Sequence, residues 1–196
     1  MIAKECITTV ILAGGKAERM DGKDKGLLKI NNIHIIERLY EISTRFTSRV
    51  YINANRNIQK YQEMGYTVLV DAIDGFQGPL AGIYTALLNI KTDYLLILPC
   101  DGPLITDDYF KRMLSGDNNF EIKCAHDGER IQPVHALIKN NVTASLEKFL
   151  STGQRKIDKW YNDRNLRLVD FSDNKNLFIN INNPKDLIEY ESLLKK

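Results

Sequence analysis

Residues 6–15, Cys-Ile-Thr-Thr-Val-Ile-Leu-Ala-Gly-Gly, set a β-branched, apolar run directly against a pair of glycines. Such a run reads as a strand, Cys6–Leu12, that ends in a turn with no bulky side chain in the way. The same signature returns at Arg49–Asn53 (RVYIN), Thr67–Asp71 (TVLVD) and Tyr94–Pro99 (YLLILP). Amphipathic stretches at Ile33–Ser43, Ile58–Met64 and Leu80–Asn89 lie between these runs. Strand and helix therefore alternate. A strand such as YLLIL, apolar at every position, buries both faces, which is the condition of a parallel sheet covered by helices on each side.

After Asp101 the pattern changes. A helix is expected over Thr106–Leu114, followed by two runs, Phe120–Ala125 and Val134–Lys139, on either side of the polar turn HDGERIQP. That spacing predicts antiparallel or mixed strands added to the sheet. Helices at Asn141–Leu150 and Lys156–Tyr161, strands at Arg167–Phe171 and Leu177–Ile181, and a last helix from Pro184 to Leu194 complete the expectation. Pro184 suits the first turn of that helix. The fold class is thus expected to be α/β: a three-layer, mostly parallel, Rossmann-like sheet flanked by helices, with an added antiparallel strand region in the second half. There is no internal repeat or Pro/Gly-rich linker, so residues 1–196 are expected to form one domain.

Composition narrows the function. The chain is 43% hydrophobic and 27% charged, with 27 Lys+Arg against 25 Asp+Glu. This is too balanced for a dedicated duplex-DNA binder, and no apolar run is long enough for a membrane helix. Five Lys/Arg and three Asp/Glu fall within Lys16–Lys29, a local excess equal to the net +2 of the whole chain. The amino terminus lacks the apolar core and cleavage site of a secretory signal. Cys6, Cys100 and Cys124 are odd in number and far apart, which predicts reduced thiols in a cytoplasmic protein. The three histidines never approach metal-ligand spacing; His135 reads as a packed side chain, and Trp160 as an anchor for its short helix.

Chemistry gathers first in Leu12–Leu27. Glycines after a strand let backbone N–H groups approach a nucleotide, with Arg19 and Lys25 in reach of its phosphates. Neither the phosphate-loop pattern G-x-x-x-x-G-K-[ST] nor G-x-G-x-x-G is present. Polar residues recur at the carboxyl ends of the strands: Asn53 closes RVYIN, Asp71 closes TVLVD, and Asp101 follows LLILPC. In an open parallel sheet the ligand crevice lies at those ends. Each aspartate alone suits a turn or helix cap, but together they describe a nucleotide and metal site. Asn180 and Asn182 flank Ile181 and share one face if the segment is extended.

LAGGKAERM–DKGLL, GPLAGI, LPCDGP, HDGER and NINNP, in this order, resemble the molybdenum cofactor guanylyltransferase family from Leu12 to Pro184. The resemblance implies transfer of GMP from GTP to molybdenum-molybdopterin, with pyrophosphate released and a molybdopterin guanine dinucleotide cofactor formed. It places Leu12, Ala13 and Gly14 along the guanine nucleotide, Gly15 and Lys25 at its phosphates, and Asn53 and Asp71 at base and ribose. Asp101 is expected to hold Mg2+, while Arg19 and Lys25 oppose the charge growing on pyrophosphate. The molybdopterin-side candidates are Arg155, Lys156, Asn180 and Asn182, with the His126–Arg130 loop beside them. Residues 1–105 become the mainly GTP-binding half and 106–196 the mainly molybdopterin-facing half; other cofactor-synthesis proteins and molybdoenzyme chaperones are the further partners implied. Two departures stand out: Asp21 where the family has glycine, and Asn183 where it has threonine. A cytidylyltransferase of the same cofactor, a sugar-phosphate nucleotidylyltransferase and a non-catalytic nucleotide binder are the alternatives.

Overall fold

In the computed structural model, which describes residues 1–15, 24–73, 78–183, 186–187 and 190, the first strand, β1 (Ile7–Leu12), lies in the middle of a sheet rather than at its edge. A two-residue hairpin, β2 (Lys29–Ile30) and β3 (Ile33–His34), leads into α1 (Ile35–Phe46). Then come β4 (Arg49–Asn53), α2 (Ile58–Glu63), β5 (Val68–Leu69), α3 (Pro79–Asn89) and β6 (Tyr94–Pro99). The second half runs α4 (Asp107–Leu114), β7 (Ile122–His126), β8 (Ile131–Lys139), α5 (Thr143–Ser151), α6 (Ile157–Asn162) and β9 (Leu166–Asp170).

Among the described residues the main sheet has seven strands in the order β5-β4-β1-β6-β8-β7-β9. β5, β4, β1 and β6 are parallel; β8 runs antiparallel to β6 and β7, and β9 is parallel to β7. The expected α/β class and the antiparallel addition are both present. The two apolar faces of β6 part cleanly: Leu96 and Leu98 pack with α1, α2 and α4, whereas Leu95 and Ile97 pack with α3, α5 and α6. That division is why YLLIL carries no polar position. Each such side chain contributes about 1.5–3 kcal/mol on full burial. Trp160 is buried on the α3 side with its indole N–H donated to Ser145 Oγ at 3.2 Å, and it holds α6 against β7 and β8 as expected.

Several boundaries move for identifiable reasons. The helix expected from Ile33 starts at Ile35, because Asn31 and Asn32 both take left-handed backbone (φ 51° and 64°) and turn Ile33–His34 back onto β2. The expected strand Thr67–Asp71 shrinks to β5 at the sheet edge. The expected strand Leu177–Ile181 is absent; Lys175–Phe178 forms a 3-10 turn instead. Leu177 and Phe178 are both buried, and adjacent residues of a strand point to opposite faces. In the final helix, residues 186, 187 and 190 are helical and its other positions lie outside the described residues. Its cap is visible: Asn183 Oδ1 accepts from Asp186 N, and Asp186 Oδ2 accepts from the Asn182 and Asn183 N–H groups. Asparagine thus performs the threonine's capping role.

His135 on β8 is packed as expected, but neither ring nitrogen has a hydrogen-bond partner among the described residues. Its ring meets Phe178 at 5.0 Å and Tyr109 at 6.0 Å, and burial pushes its pKa down to about 3. Above pH ~6.5 the imidazole is neutral in both folded and unfolded chains; below that only the unfolded chain readily takes the proton. Stability is therefore expected to fall by about 1.4 kcal/mol per pH unit from this group between pH ~6.5 and pH ~3. Urea unfolding of wild type and His135→Phe at several pH values checks this: the wild type should show the steeper acid limb.

Candidate active site

β1 and its neighbours bring their carboxyl ends to one level. Leu12 is in register with Asn53 of β4 and Pro99 of β6. The Ala13 N–H donates to Asn53 O, and the Cys100 N–H to Leu12 O, so the chain leaves β1 still pinned on both sides. A cavity of about 580 Å³ opens there, at the point where the strand order reverses. Leu12, Ala13, Gly14 and Gly15 form one wall, with Gly14 packed against the side chains of Asn53 and Asn55.

On the β4–β5 side, three polar side chains make one unit. Asn53 Nδ2 donates to Asp71 Oδ1 at 2.8 Å and to Leu69 O at 3.2 Å. Asn55 Nδ2 donates to Asp71 Oδ2 at 2.7 Å, and Asn55 Oδ1 accepts from the Asp71 N–H at 2.9 Å. Both carboxylate oxygens are thereby oriented, and each keeps acceptor capacity for a ligand donor. The unit depends on α3. A Cβ on Gly82 would overlap Asn53 Oδ1 and lie 3.0 Å from Leu12 Cδ2, so this mid-helix glycine is required by the close approach.

On the β6 side, Lys25 crosses the cavity. Its ammonium donates to Asp101 Oδ2 at 2.9 Å and to Asn182 Oδ1 at 2.8 Å. The Ile181 N–H donates to Asp101 O at 2.9 Å; Ile181 is buried, and Asn180 and Asn182 both line the cavity. The shared face expected of these asparagines is present, although the segment is not a strand. Cys100 also lines the cavity, but burial, reinforced by the carboxylates of Asp101 and Asp24, pushes its thiol far up. It is held as a neutral thiol and offers no nucleophile. The cavity is therefore not arranged for covalent catalysis through this cysteine.

Of the residues singled out in the sequence, the structure brings together Leu12, Ala13, Gly14, Gly15, Lys25, Asn53, Asp71, Asp101, Asn180 and Asn182. Arg19 and Asp21 lie outside the described residues. Arg155 and Lys156 do not line the cavity. Arg155 donates to Leu150 O and Gln154 O at the end of α5, and Lys156 stands exposed before α6. The His126–Arg130 loop is organised by Asp127: Oδ1 accepts from the Glu129 and Arg130 N–H groups and Oδ2 from Gln132 Nε2. Those backbone donors, Arg130's first, lower the Asp127 pKa. Sequence reading missed Asp24, Asn55 and Arg56; Asp24 and Arg56 line the cavity, and Asn55 positions Asp71. The asparagine-rich stretch Asn53–Asn57, starting at the end of a strand, was the signal available for Asn55 and Arg56.

A model of the MobA-like NTP transferase domain matches residues 9–167. Molybdenum cofactor guanylyltransferase of Shewanella sp. (strain MR-4) is 45% identical over 181 residues, covering 91% of this chain and 92% of that protein. The protein of the same name from Shewanella sediminis (strain HAW-EB3) is 42% identical over 192 residues, covering 97% and 98%. In three dimensions, molybdopterin-guanine dinucleotide biosynthesis protein A from Archaeoglobus fulgidus superposes with a TM-score of 0.79 at 20% identity over 96% of this chain and 98% of that one. A 4-diphosphocytidyl-2C-methyl-D-erythritol synthase from Anaerococcus prevotii reaches 0.78 at 10% identity over 98% and 97%. These two similarities show that the fold is shared along nearly the whole chain. The family match over most of the chain, and the identity to relatives along nearly their whole length, establish that this chain belongs to the MobA-like NTP transferases, among the molybdenum cofactor guanylyltransferases.

Proposed function

We propose that this chain transfers GMP from GTP to molybdenum-molybdopterin, releasing pyrophosphate and forming the molybdopterin guanine dinucleotide cofactor. One observation carries the reading: the Lys25 ammonium lies between Asp101 and Asn182 in a crevice whose opposite wall is the Asn53–Asn55–Asp71 unit. A nucleoside on the Asp71 side sets its triphosphate toward Lys25. Leu12, Ala13 and Gly14 run along the nucleotide, Gly15 faces its phosphates, and Asn53 and Asp71 select base and ribose.

The phosphate of molybdopterin is already an anion, so attack on the α-phosphorus needs no strong base. A new P–O bond forms in line as the bond to pyrophosphate breaks. Lys25, and Arg19 from the glycine loop, oppose the charge that collects on the leaving group. Asn180 and Asn182 receive the acceptor, with Arg155 and Lys156 as more distant candidates. The first half of the chain thus serves GTP and the second half molybdopterin, within a single domain.

Asp101 Oδ2 and Asn182 Oδ1 converge on one positive charge, the Lys25 ammonium. Two oxygens so arranged fit a hard divalent cation completed by phosphate and water oxygens, and Mg2+ is the cation proposed. When bound, it would supply Lewis-acid polarisation of the phosphoryl oxygens. Lys25 neutralises Asp101, and its long, flexible side chain can also turn toward phosphate oxygens. Among the described residues no helix is long and apolar enough to cross a membrane. A cytoplasmic setting with cofactor-synthesis proteins and molybdoenzyme chaperones nearby completes the proposal.

Asp101→Ala is expected to keep the far-UV circular dichroism and to lose at least ~100-fold in pyrophosphate release with GTP and molybdopterin; unchanged release would overturn the metal role. Presented with each nucleoside triphosphate in turn, the enzyme should turn over GTP, and turnover with CTP alone would assign it to cytidylyl transfer. Gly82→Ala ordinarily stabilises a helix by about 1 kcal/mol. Here it should displace Asn53 and weaken GTP binding about tenfold or more, roughly one lost hydrogen bond to a charged group, as measured by calorimetry.

A further inference from the structure

Lys25 is a long, flexible side chain, and ordering it carries an entropic cost that the backbone below it determines. That backbone is a single 3-10 turn, Lys25–Leu27, capped by Asp24. Asp24 is 6% exposed. Its Oδ1 accepts from Tyr61 Oη at 2.7 Å and from the Gly26 N–H at 3.1 Å, and its Oδ2 accepts from Asn57 Nδ2 at 3.1 Å. Tyr61 is fully buried in α2, and Asn57 caps the same helix in left-handed backbone, φ 51°. Three donors from two separate segments thus meet on one carboxylate directly before the lysine.

The fit is close enough to constrain the next residue. A Cβ on Gly26 would lie 2.7 Å from Tyr61 Oη, so glycine at that position is what lets the tyrosine reach the carboxylate. Burial, together with the negative charge of Asp24, pushes the Tyr61 hydroxyl well above its ordinary pKa and keeps it a donor. On the far side the turn is fastened by the Leu28 N–H to Lys25 O, the Ile35 N–H to Leu28 O at 2.9 Å, and the His34 Nδ1 contact to Leu27 O at 2.8 Å. The Lys25 main chain is therefore held at both ends while its side chain alone spans the cavity.

We propose that Asp24, held by Tyr61 and Asn57, is a positioning residue for Lys25: it fixes the turn from which the ammonium reaches Asp101 and from which it would meet the triphosphate. This rests on the reading of Lys25 as the phosphate-facing cation. Hydrogen-bonded to these three donors, Asp24 acts through the lysine rather than on substrate. A structural role alone would make α2 and the turn more stable without coupling Tyr61 to Lys25.

A double-mutant cycle on the full chain separates these cases. GTP affinity is measured by calorimetry for wild type, Tyr61→Phe, Lys25→Ala and the double variant, with melting curves recorded in parallel. Tyr61→Phe removes one hydroxyl from a helix that touches no proposed ligand position. It is expected to weaken GTP binding about five- to tenfold in the wild type and less than twofold when Lys25 is already alanine. Equal losses in both backgrounds, or no loss in the wild type, would overturn the role of Asp24. Should Tyr61→Phe fail to fold, Asn57→Gly removes the other side-chain donor at a left-handed position that glycine accepts, and it must show the same dependence on Lys25. The binding cycle needs no acceptor. Coupled energies without pyrophosphate release on adding molybdopterin would sink the guanylyl-transfer reading and leave the Asp24 role standing; transfer with additive energies would do the reverse.

Discussion

β1 is hydrogen-bonded along its length to two parallel neighbours, and that pairing sets the height at which every cavity-lining strand end stops. Because Leu12 faces Asn53 on one side and Pro99 on the other, the glycine turn, the Asn53–Asn55 loop and Cys100–Asp101 all begin at one level. β5 adds Asp71 two residues beyond its own pairing with β4. The reversed strand β8 brings Val134 to the same end from the other direction. A parallel sheet gathers loops this way because all its carboxyl ends lie together, and the reversal of strand order at β1 leaves a crevice between them.

Charge within the crevice is distributed by what each carboxylate touches. Asp71 accepts from two amides and the buried Asp24 from three neutral donors, so both are held in fixed orientation. Asp101 carries the Lys25 contact. A carboxylate held by several hydrogen-bond donors keeps its orientation, whereas one paired with a flexible lysine can exchange its partner. Asp71 and Asp24 are thus fixed on either side of the cavity, and Asp101 is the carboxylate that meets the Lys25 ammonium.

Much of this was legible in one dimension where a local pattern has one physical outcome. Uniformly apolar runs such as YLLIL and the alternation of helices between them lead to a two-faced parallel sheet, and polar residues closing those runs lead to its carboxyl edge. Leu177 and Phe178 show where the reading fails. Three apolar residues in a row resemble a strand, yet Phe178 is drawn against Tyr109 and His135, and the backbone turns to bury both Leu177 and Phe178. The Asn31–Asn32 hairpin was written in the sequence as two residues tolerant of left-handed backbone between isoleucines. Arg155 and Lys156 are the converse case, charges near a glycine whose side chains the fold keeps off the cavity.

By itself the sequence determined the strand–helix alternation, the parallel edge where the cavity opens, and the motif set that marks the family, because each depends on short-range spacing. Only the tertiary structure decided which polar groups meet. Lys25 contacts Asn182 across 157 positions of chain and Asp101 across 76, and Tyr61 reaches Asp24 across 37. No local spacing encodes such contacts. They arise when the sheet has ordered its strands, and when glycines at 26 and 82 leave space for a tyrosine hydroxyl and an asparagine amide to close on the site.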